Sequence, residues 1–407
     1  MSDERVILFT SAARNYLPKV RVLFDSVARH HPEWRRELVL AERSVHAGDR
    51  EQANADRVRC VPELGIPDWE PWSFCHTLVE LATAIKPFAL RQFLSGGESV
   101  RVLYMDPDIA LFSRLDEIVA GLEESSVLLT PHQLLPEQTL GRVIDNEISS
   151  LRHGVYNLGF LAVRGSDVGR AFAEWWSQRL YFFCRDEWQS GLFTDQKWID
   201  LVPALFPGVG VLRAPRFNVA SWNLSERPLR AEDGQFLVDG EPLGFYHFTA
   251  VSGDAHELMV LKNSDSPEAL RELLAWYRRE EQAATPPGSD AWSFADYSDG
   301  SPVADAHRRA FRDNRSLQKK YPDPWAAAGL AAALRRDPAL LPAPQAVAGP
   351  PAVSPGYAAN EGAFDLSKVL RLLKMVSTDT RALGMVARRA ISVLDREGVK
   401  GIVRRLR

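Results

Sequence analysis

A hydrophobic segment that runs directly into two aspartates constrains this chain more than any other feature. Val102-Leu-Tyr-Met105 precedes Asp106-Pro-Asp108, and a second apolar run, 109–112, follows. Such a run is typical of a buried strand that ends at a ligand site. Residues i and i+2 of an extended segment point the same way, so both carboxylates can face one ligand. Hard oxygen ligands suit Mg²⁺ or Mn²⁺. The alternative is an ordinary turn with two solvated aspartates.

Composition narrows the class of protein. The chain has 407 residues, 45% hydrophobic and 25% charged, which is typical of a globular protein large enough for one domain with an appendage or for two to three domains. A net charge of -4 gives no reason to expect a nucleic-acid partner. Three cysteines without CxxC spacing favour a reducing compartment. With no signal-peptide pattern and no apolar stretch of about 18 residues, we expect a cytoplasmic protein.

The N-terminal third predicts an open α/β sheet. Short apolar segments at 6–9, 38–40 and 58–61 read as strands, and 18–30 reads as a helix. The first strand is followed by Thr10, Ser11 and, a little later, Tyr16. Open α/β sheets bind ligands at the carboxyl ends of their strands. The alternative reading is a cap for the following helix.

A lysine lies within an otherwise apolar helical pattern that spans residues 78–93. Lys86 is followed by Pro87, which predicts a kink or a restart of the helix. A buried lysine needs an anion, and a phosphate is a natural one. The alternative is a lysine whose stem covers apolar surface while its head stays in water.

Three later segments contribute further candidate site residues. Asn157 and Gly159 lie near the start of a predicted strand, where the amide can bind a sugar hydroxyl or close its own turn. Asp195 precedes Gln196 at the start of a short predicted helix that Thr194 or Asp195 would cap, so Asp195 is either structural or a functional carboxylate. His247 follows an Asp-Gly hairpin signal and is either a third metal ligand or a structural residue.

The C-terminal part divides by composition. We expect residues 1–285 to form the main domain, 286–340 to dock on it, and 341–360 to form a stiff Pro/Ala-rich linker. Residues 361–407 form a basic amphipathic tail, in which apolar positions alternate with Lys and Arg from 365 onward. This pattern is typical of helices on an anionic membrane surface. A helix pair packed on its own protein or on a second copy has the same pattern.

Four of these motifs, in this order, resemble the retaining family 8 glycosyltransferases of the GT-A fold and their bacterial relatives. The resemblance covers about residues 5–260 and rests on Asp106-Pro-Asp108, Asn157-Leu-Gly159, Asp195-Gln196 and His247. Two features depart from the family pattern. Pro107 stands where the family has a small residue, and the segment after His247 lacks the usual Gly and Lys-Pro-Trp.

The resemblance implies a fold and a reaction. It implies a Rossmann-like mixed α/β sheet flanked by helices, here with a helical C-terminal extension. It also implies transfer of a sugar from a nucleotide-diphosphate sugar to a glycan, lipid-linked or other hydroxyl acceptor, with retention of configuration.

The resemblance also implies roles for individual residues. Asp106, Asp108 and His247 would hold Mn²⁺ or Mg²⁺ on the diphosphate. Thr10, Ser11 and Tyr16 would line the nucleotide pocket, with Lys86 near phosphate or sugar. The donor sugar and the reacting carbon would be faced by Asn157, Asp195 and Gln196. Retention would proceed by front-face attack assisted by Gln196, or through a covalent intermediate with Asp195 as nucleophile. Trp222 and Asn223 would contact the acceptor.

Two other classes of protein remain open at the level of sequence. A sugar nucleotidyltransferase also combines an α/β sheet with metal-binding carboxylates, although residues 10–14 lack the glycines of its phosphate loop. A sugar-binding or scaffold protein with the same fold, but without turnover, is the second. The sequence names neither the sugar, the base, the acceptor nor the oligomeric state.

Overall fold

The computed structural model describes residues 5–249, 263, 267–285 and 291–342. Its centre is a seven-stranded sheet in the order β10-β6-β7-β4-β1-β2-β3. The strands of this sheet are β1 (Arg5–Ala12), β2 (Arg35–Leu40), β3 (Arg57–Cys60), β4 (Val100–Met105), β6 (Val127–Pro131), β7 (Tyr156–Arg164) and β10 (Val209–Val211).

Strand β7 is antiparallel to both of its neighbours, β4 and β6, while the other pairings of this sheet are parallel. The predicted mixed α/β sheet flanked by helices is therefore confirmed. All six residues of β4 are buried, as the near-continuous apolar run before the two aspartates predicted.

Helices cover both faces of the sheet, where two hydrophobic clusters form the core. The α-helices are Leu17–His30, Asp49–Ala53, Trp69–Phe74, Leu78–Ala84, Lys86–Leu94, Asp116–Glu124, Leu140–Arg142, Ile148–His153, Asp167–Phe183, Gln196–Ile199, Val202–Leu205, Pro267–Ala284, Asp305–Asp313, Arg315–Lys320 and Ala332–Arg336. Short 3₁₀ turns occupy Arg14–Tyr16, Val61–Leu64, Trp188–Ser190 and Pro338–Leu340, and π-helical turns occupy Val143–Glu147 and Ala327–Ala331.

The predicted helix 78–93 consists of two helices. The first ends at Ala84, and the second begins at Lys86 with Pro87 in its first turn. A proline is tolerated there because the amide it lacks would have no helical partner. The restart presents Lys86 at the beginning of a helix that is otherwise packed into the core.

A second, smaller sheet brings a distant strand to the end of β4. It contains β5 (Ile109–Leu111), β11 (Val219–Ala220) and β15 (Phe245–His247), in the order β11-β15-β5. The pairing of β15 with β5 is antiparallel, and its register places His247 opposite Ile109. His247 is therefore fixed beside Asp108 by backbone pairing across about 140 residues of chain.

A three-stranded antiparallel sheet and one further hairpin complete the strands described here. Strands β12 (Leu229–Glu232), β13 (Gln235–Val238) and β14 (Glu241–Pro242) form an antiparallel sheet, and β8 (Arg185–Glu187) pairs with β9 (Leu192–Thr194). Asp239 and Gly240 between β13 and β14 both have positive φ, +51° and +81°. This is the conformation of the turn that the Asp-Gly signal predicted.

Residues 291–342 pack against the N-terminal part of the sheet and its helices. The indole of Trp292 donates to the carbonyl of Ala41 over 2.8 Å, and that of Trp325 to Glu70 over 3.0 Å. The Arg43 guanidinium lies over the rings of Phe294 and Trp325, at 4.5 and 4.2 Å. We refer to residues 291–342 as the extension.

Two sequence predictions, those for the linker and for the tail, concern residues that the structure mostly or wholly does not describe. Most of the predicted linker and the whole amphipathic tail lie outside the described residues, so the readings of 365–407 stay predictions. Within the described part of the chain, no helix is both long enough and apolar enough to cross a membrane.

Candidate metal and substrate site

Three side chains converge where β4 ends. The nearest ligand atoms of Asp106, Asp108 and His247 all lie within 4.8 Å of one another. His247 Nε2 is 3.1 Å from Asp108 Oδ1 and 3.6 Å from Asp106 Oδ2. Two ligands held about 2.1 Å from one ion, at a right angle, are about 3 Å apart. Two carboxylates and an imidazole at this spacing therefore fit one divalent cation.

The charges within this group reinforce one another. Burial raises the pKa of Asp108, but the charge and hydrogen bond of His247 outweigh burial, so the pKa lies below its ordinary value. Burial lowers the pKa of His247, but the facing carboxylates, Asp108 first, raise it above the ordinary value. A protonated His247 thus pairs most closely with Asp108, at 3.1 Å, and more distantly with Asp106, at 3.6 Å.

Lys86 connects this group to a fourth carboxylate. Its ammonium lies 3.3 Å from Asp106 Oδ1 and 2.8 Å from Asp195 Oδ2, and 4.3 Å from the centre of the Tyr104 ring. Only 3% of its side chain is exposed. The Tyr104 hydroxyl donates to Asp106 Oδ1 over 2.5 Å and lies 3.3 Å from Ser11 Oγ. Lys86 is therefore a buried, anion-paired lysine and does not extend into water.

Burial and pairing act in opposite directions on the Lys86 and Asp195 charges. Burial lowers the pKa of Lys86, but Asp106 and Asp195 raise it well above its usual range, so the ammonium stays charged. Burial raises the pKa of Asp195, an effect that Lys86 offsets only in part. The Asp195 side chain makes no capping bond to the helix Gln196–Ile199. The capping interpretation of this residue is therefore wrong.

The strand β7 supports the site through Asn157 and Gly159. Asn157 Oδ1 accepts from the amide of Gly159 over 3.0 Å and from Asn218 Nδ2 over 3.1 Å, while its Nδ2 lies 3.1 Å from His132 Nε2. The local turn that the sequence offered as an alternative is therefore present. A Cβ on Gly159 would lie only 2.4 Å from His247 Cε1 and 2.7 Å from Asn157 Oδ1. Only glycine leaves room for His247 beside this strand.

Gln196 is held at both ends of its amide. Its Oε1 accepts from the amide of Leu158 over 3.0 Å, and its Nε2 donates to the carbonyl of His153 over 3.1 Å. These bonds join the helix Gln196–Ile199 to the start of β7. One oxygen lone pair and one N–H of the amide remain available for a ligand.

These side chains face a cleft of about 600 Å³, which we call the main cleft. Among its lining residues are Lys86, Asp106, Asp108, His132, Asn157, Asp195, Gln196, Trp222 and His247. A smaller neighbouring cleft of about 180 Å³ contains Ser11, Tyr16 and Tyr104 and shares Lys86, Asp106 and Asp108 with the main cleft. One continuous depression thus joins the end of β1 to the end of β4.

Two predicted residues do not reach either cleft. Thr10 is fully buried, because successive residues of β1 face opposite sides of the sheet and only Ser11 points toward Tyr104. Asn223 is also fully buried, and its amide side chain bonds the backbone of Ala220 and Asn218. Trp222 does line the main cleft, with its ring 5.5 Å from that of His247.

The sequence reasoning gave Thr194 only a possible capping role and did not find His132. Thr194 has a φ of +44°, which is rare for a β-branched residue, and its hydroxyl donates to Asp195 Oδ1 over 3.1 Å. Burial lowers the pKa of His132 to about 4, so its ring is neutral where it meets Asn157. Neither property has a local sequence signal, since both arise from segments that are far apart in the chain.

A second group of acidic and histidine side chains lies elsewhere in the described part of the chain, at His31, Glu33 and Asp116. Arg114 already pairs with both of its carboxylates, at 2.9 and 2.7 Å. Both ring nitrogens of His31 are engaged, with Glu33 at 3.0 Å and with the Leu115 amide at 2.8 Å. The guanidinium takes the place that a metal would occupy in this cluster.

Comparisons with known proteins give relatives without a described function. No family model matches the chain. It is similar to two uncharacterised proteins of Bacillus subtilis strain 168, YfnF (32% identical over 172 residues, 42% of this chain) and YfnD (28% identical over 213 residues, 52% of this chain). The matched segments span 56% and 62% of those relatives.

Two glycosyltransferases are among the solved structures to which the chain is similar. One is the galactosyltransferase LgtC with donor and acceptor sugar analogues, with 15% identity, a TM-score of 0.41 and coverage of 70% of this chain and 97% of LgtC. The other is mouse xyloside xylosyltransferase 1, with 14% identity, a TM-score of 0.36 and coverage of 61% and 98%.

Proposed function

We propose that this chain is a metal-dependent glycosyltransferase of the GT-A type, which moves a sugar from a nucleotide-diphosphate sugar to a glycan, lipid-linked or other hydroxyl acceptor. One observation carries the proposal: the ligand atoms of Asp106, Asp108 and His247 lie within 4.8 Å of one another and border a cleft large enough for a donor. Two oxygen ligands and one imidazole favour Mn²⁺ or Mg²⁺.

The residues around the metal ligands have distinct roles in this proposal. A bound cation would neutralise charge that develops on the departing diphosphate. Ser11 and Tyr16, in the smaller cleft, would contact the nucleotide. Lys86 keeps the carboxylates of Asp106 and Asp195 in fixed positions, since its ammonium contacts both.

Asp195 and Gln196 would face the donor sugar. Both line the main cleft, and Gln196 keeps one N–H and one lone pair for a ligand. Retention by front-face attack places Gln196 beside the leaving group. Retention through a covalent intermediate requires Asp195 to exchange its Lys86 contact for the sugar carbon. Asn157, which also lines the main cleft, would contact a sugar hydroxyl.

Donor binding tests the proposal. The full-length protein is titrated with a panel of nucleotide-diphosphate sugars, with Mn²⁺, with Mg²⁺ or with chelator, and its melting temperature is followed. We expect at least one donor to raise the melting temperature with metal and not with chelator, and release of the free nucleotide diphosphate on incubation. The proposal would be refuted if no donor raised the melting temperature, or if a donor raised it equally with metal and with chelator.

A further inference from the structure

The extension forms one wall of a groove beside the main cleft. This groove, here called the extension groove, has a volume of about 680 Å³. One side consists of residues 77–80 and the strand β8, and the other consists of Trp292 and residues 295–312. Volumes of about 300–1,000 Å³ are typical of small-molecule sites.

The extension groove opens into the main cleft. Val79 and Asp186 line both of them, and Val79 also lines the smaller cleft beside Ser11 and Tyr16. Val79 is 62% exposed, an unusual degree for a valine in the middle of three depressions. A ligand in the extension groove would therefore have one end next to the reacting centre.

The lining of the extension groove is polar, with an excess of negative charge. It contains five carboxylates, Glu80, Asp186, Glu187, Asp296 and Asp305, and three arginines, Arg308, Arg309 and Arg312. Arg312 is committed to Glu80 and Glu187, at 3.2 and 2.6 Å, and Arg308 donates to the carbonyls of His76 and Phe294. These two arginines are therefore not available to an anionic ligand.

Other groups in the extension groove have no partner within the described residues. The Nε of Arg309 is buried there without a hydrogen bond, and Asp296 makes no ion pair. Beside them lie the indole of Trp292, which is half-buried, and the apolar side chains of Pro302 and Val303. An apolar wall with a few separated donors and acceptors suits a ligand with many hydroxyl groups and apolar ring faces.

We propose that the extension groove binds the acceptor as a chain of uncharged sugars, with the acceptor's reactive end at Val79 and Asp186. This inference rests on the glycosyltransferase function proposed above and names the acceptor class for the same site. The excess of carboxylates disfavours a phosphate-rich or uronic-acid chain, because like charges repel in a partly desolvated groove. The extension thus acts in substrate recognition as well as in packing.

The test uses the full-length protein, Mn²⁺ and a glycan array. The array carries neutral and uronic-acid oligosaccharides of two to six units and the matching monosaccharides. We expect binding to at least one neutral oligosaccharide, with a weaker signal for its monosaccharide and for acidic chains. Arg309→Ala and Asp296→Ala should each reduce that binding at least fivefold. Arg230→Ala removes an exposed arginine of β12 that does not line the extension groove, and it should leave binding unchanged.

The donor measurement separates this inference from the proposed function. Both groove variants should keep the wild-type shift in melting temperature with nucleotide-diphosphate sugar and metal, which also shows that they fold. Binding of no neutral oligosaccharide, equal binding of monosaccharides, preference for acidic chains, or unchanged glycan binding in both variants would each overturn the acceptor assignment. If the wild-type protein itself showed no metal-dependent shift in melting temperature with any donor, the proposed transferase function would be overturned instead.

Discussion

The ammonium of Lys86 lies 2.8 Å from Asp195 Oδ2, although the two residues are 109 positions apart in the sequence. Both side chains are nearly inaccessible, at 3% and 4% exposed. The contact connects the helix that restarts at Pro87 with the turn after β9. Since Asp106 is the second partner of Lys86, the ion pair also fixes one of the proposed metal ligands.

Replacing Lys86 should destabilise the fold. Lys86→Met leaves the Asp195 carboxylate buried beside Asp106 without its cation, and loss of one partner of a buried ion pair costs about 3–5 kcal/mol. Urea unfolding would measure the change in the free energy of unfolding. In a double-mutant cycle, Lys86→Met combined with Asp195→Asn should lose less stability than the sum of the single variants. Additive losses would show that the two side chains do not interact.

Enlarging Gly159 should weaken metal binding. In Gly159→Ala the new methyl group would lie 2.4 Å from His247 Cε1, so the imidazole must move away from the aspartates. We expect at least a tenfold rise in the dissociation constant for Mn²⁺, measured by calorimetry. Gly141→Ala is the matched control, because a Cβ there meets nothing within 4 Å. Unchanged affinity in Gly159→Ala would mean that His247 does not bind the metal.

Removing one carboxylate of the site should abolish the metal effect without unfolding the protein. Asp108→Asn keeps the shape of the side chain but removes the charge that attracts a cation. We expect the shift in melting temperature with metal and nucleotide-diphosphate sugar to disappear. Asp116→Asn, in the cluster that Arg114 already neutralises, should keep the full shift. A normal shift in Asp108→Asn would exclude this residue as a ligand.

Acid should destabilise the protein through His76. Burial lowers the pKa of His76 to about 4, whereas the unfolded chain protonates it near its ordinary pKa of about 6.5. The unfolded state therefore binds more protons between these values, and stability falls as the pH decreases from about 6.5 toward 4. From pH 7 to pH 5 we expect a loss of about 1–2 kcal/mol from this group.

The variant His76→Gln isolates that contribution. Glutamine can still donate to the Trp72 carbonyl that His76 Nδ1 contacts at 2.8 Å, but it does not titrate. Denaturant unfolding at pH 7 and pH 5 should show a smaller pH-dependent loss in the variant than in the wild type. Equal losses in the two proteins would assign the acid sensitivity to other groups.

Local patterns predicted the elements of the fold well, because their causes are local. The apolar run of β4, the Asp-Gly turn and the helix restart at Pro87 are each set by a few neighbouring residues. The prediction that Asp106, Asp108 and His247 converge came from the resemblance. No local sequence pattern shows that the strand carrying His247 pairs with β5.

What the sequence did not predict depends on packing between distant segments. Residue habits gave Asp195 two possible roles, and only the structure shows that its side chain pairs with Lys86 and makes no capping bond. Successive side chains of β1 point to opposite faces of the sheet. Only the structure shows that Ser11 lies on the face of the cleft and Thr10 on the other face. The positive φ of Thr194 has no signal in its own residue type, which disfavours that conformation.

The pairing of β15 with β5 offers a direct readout of whether this centre is assembled. The amide of Phe248 donates to the carbonyl of Asp108 over 2.7 Å, so that hydrogen is shielded only while the two strands lie together. The rate at which this one amide hydrogen exchanges with deuterium therefore reports whether the imidazole of His247 has separated from the carboxylates. A cation bound by Asp106, Asp108 and His247 should slow that exchange. The exchange rate at Phe248 would then measure metal occupancy at a single backbone position.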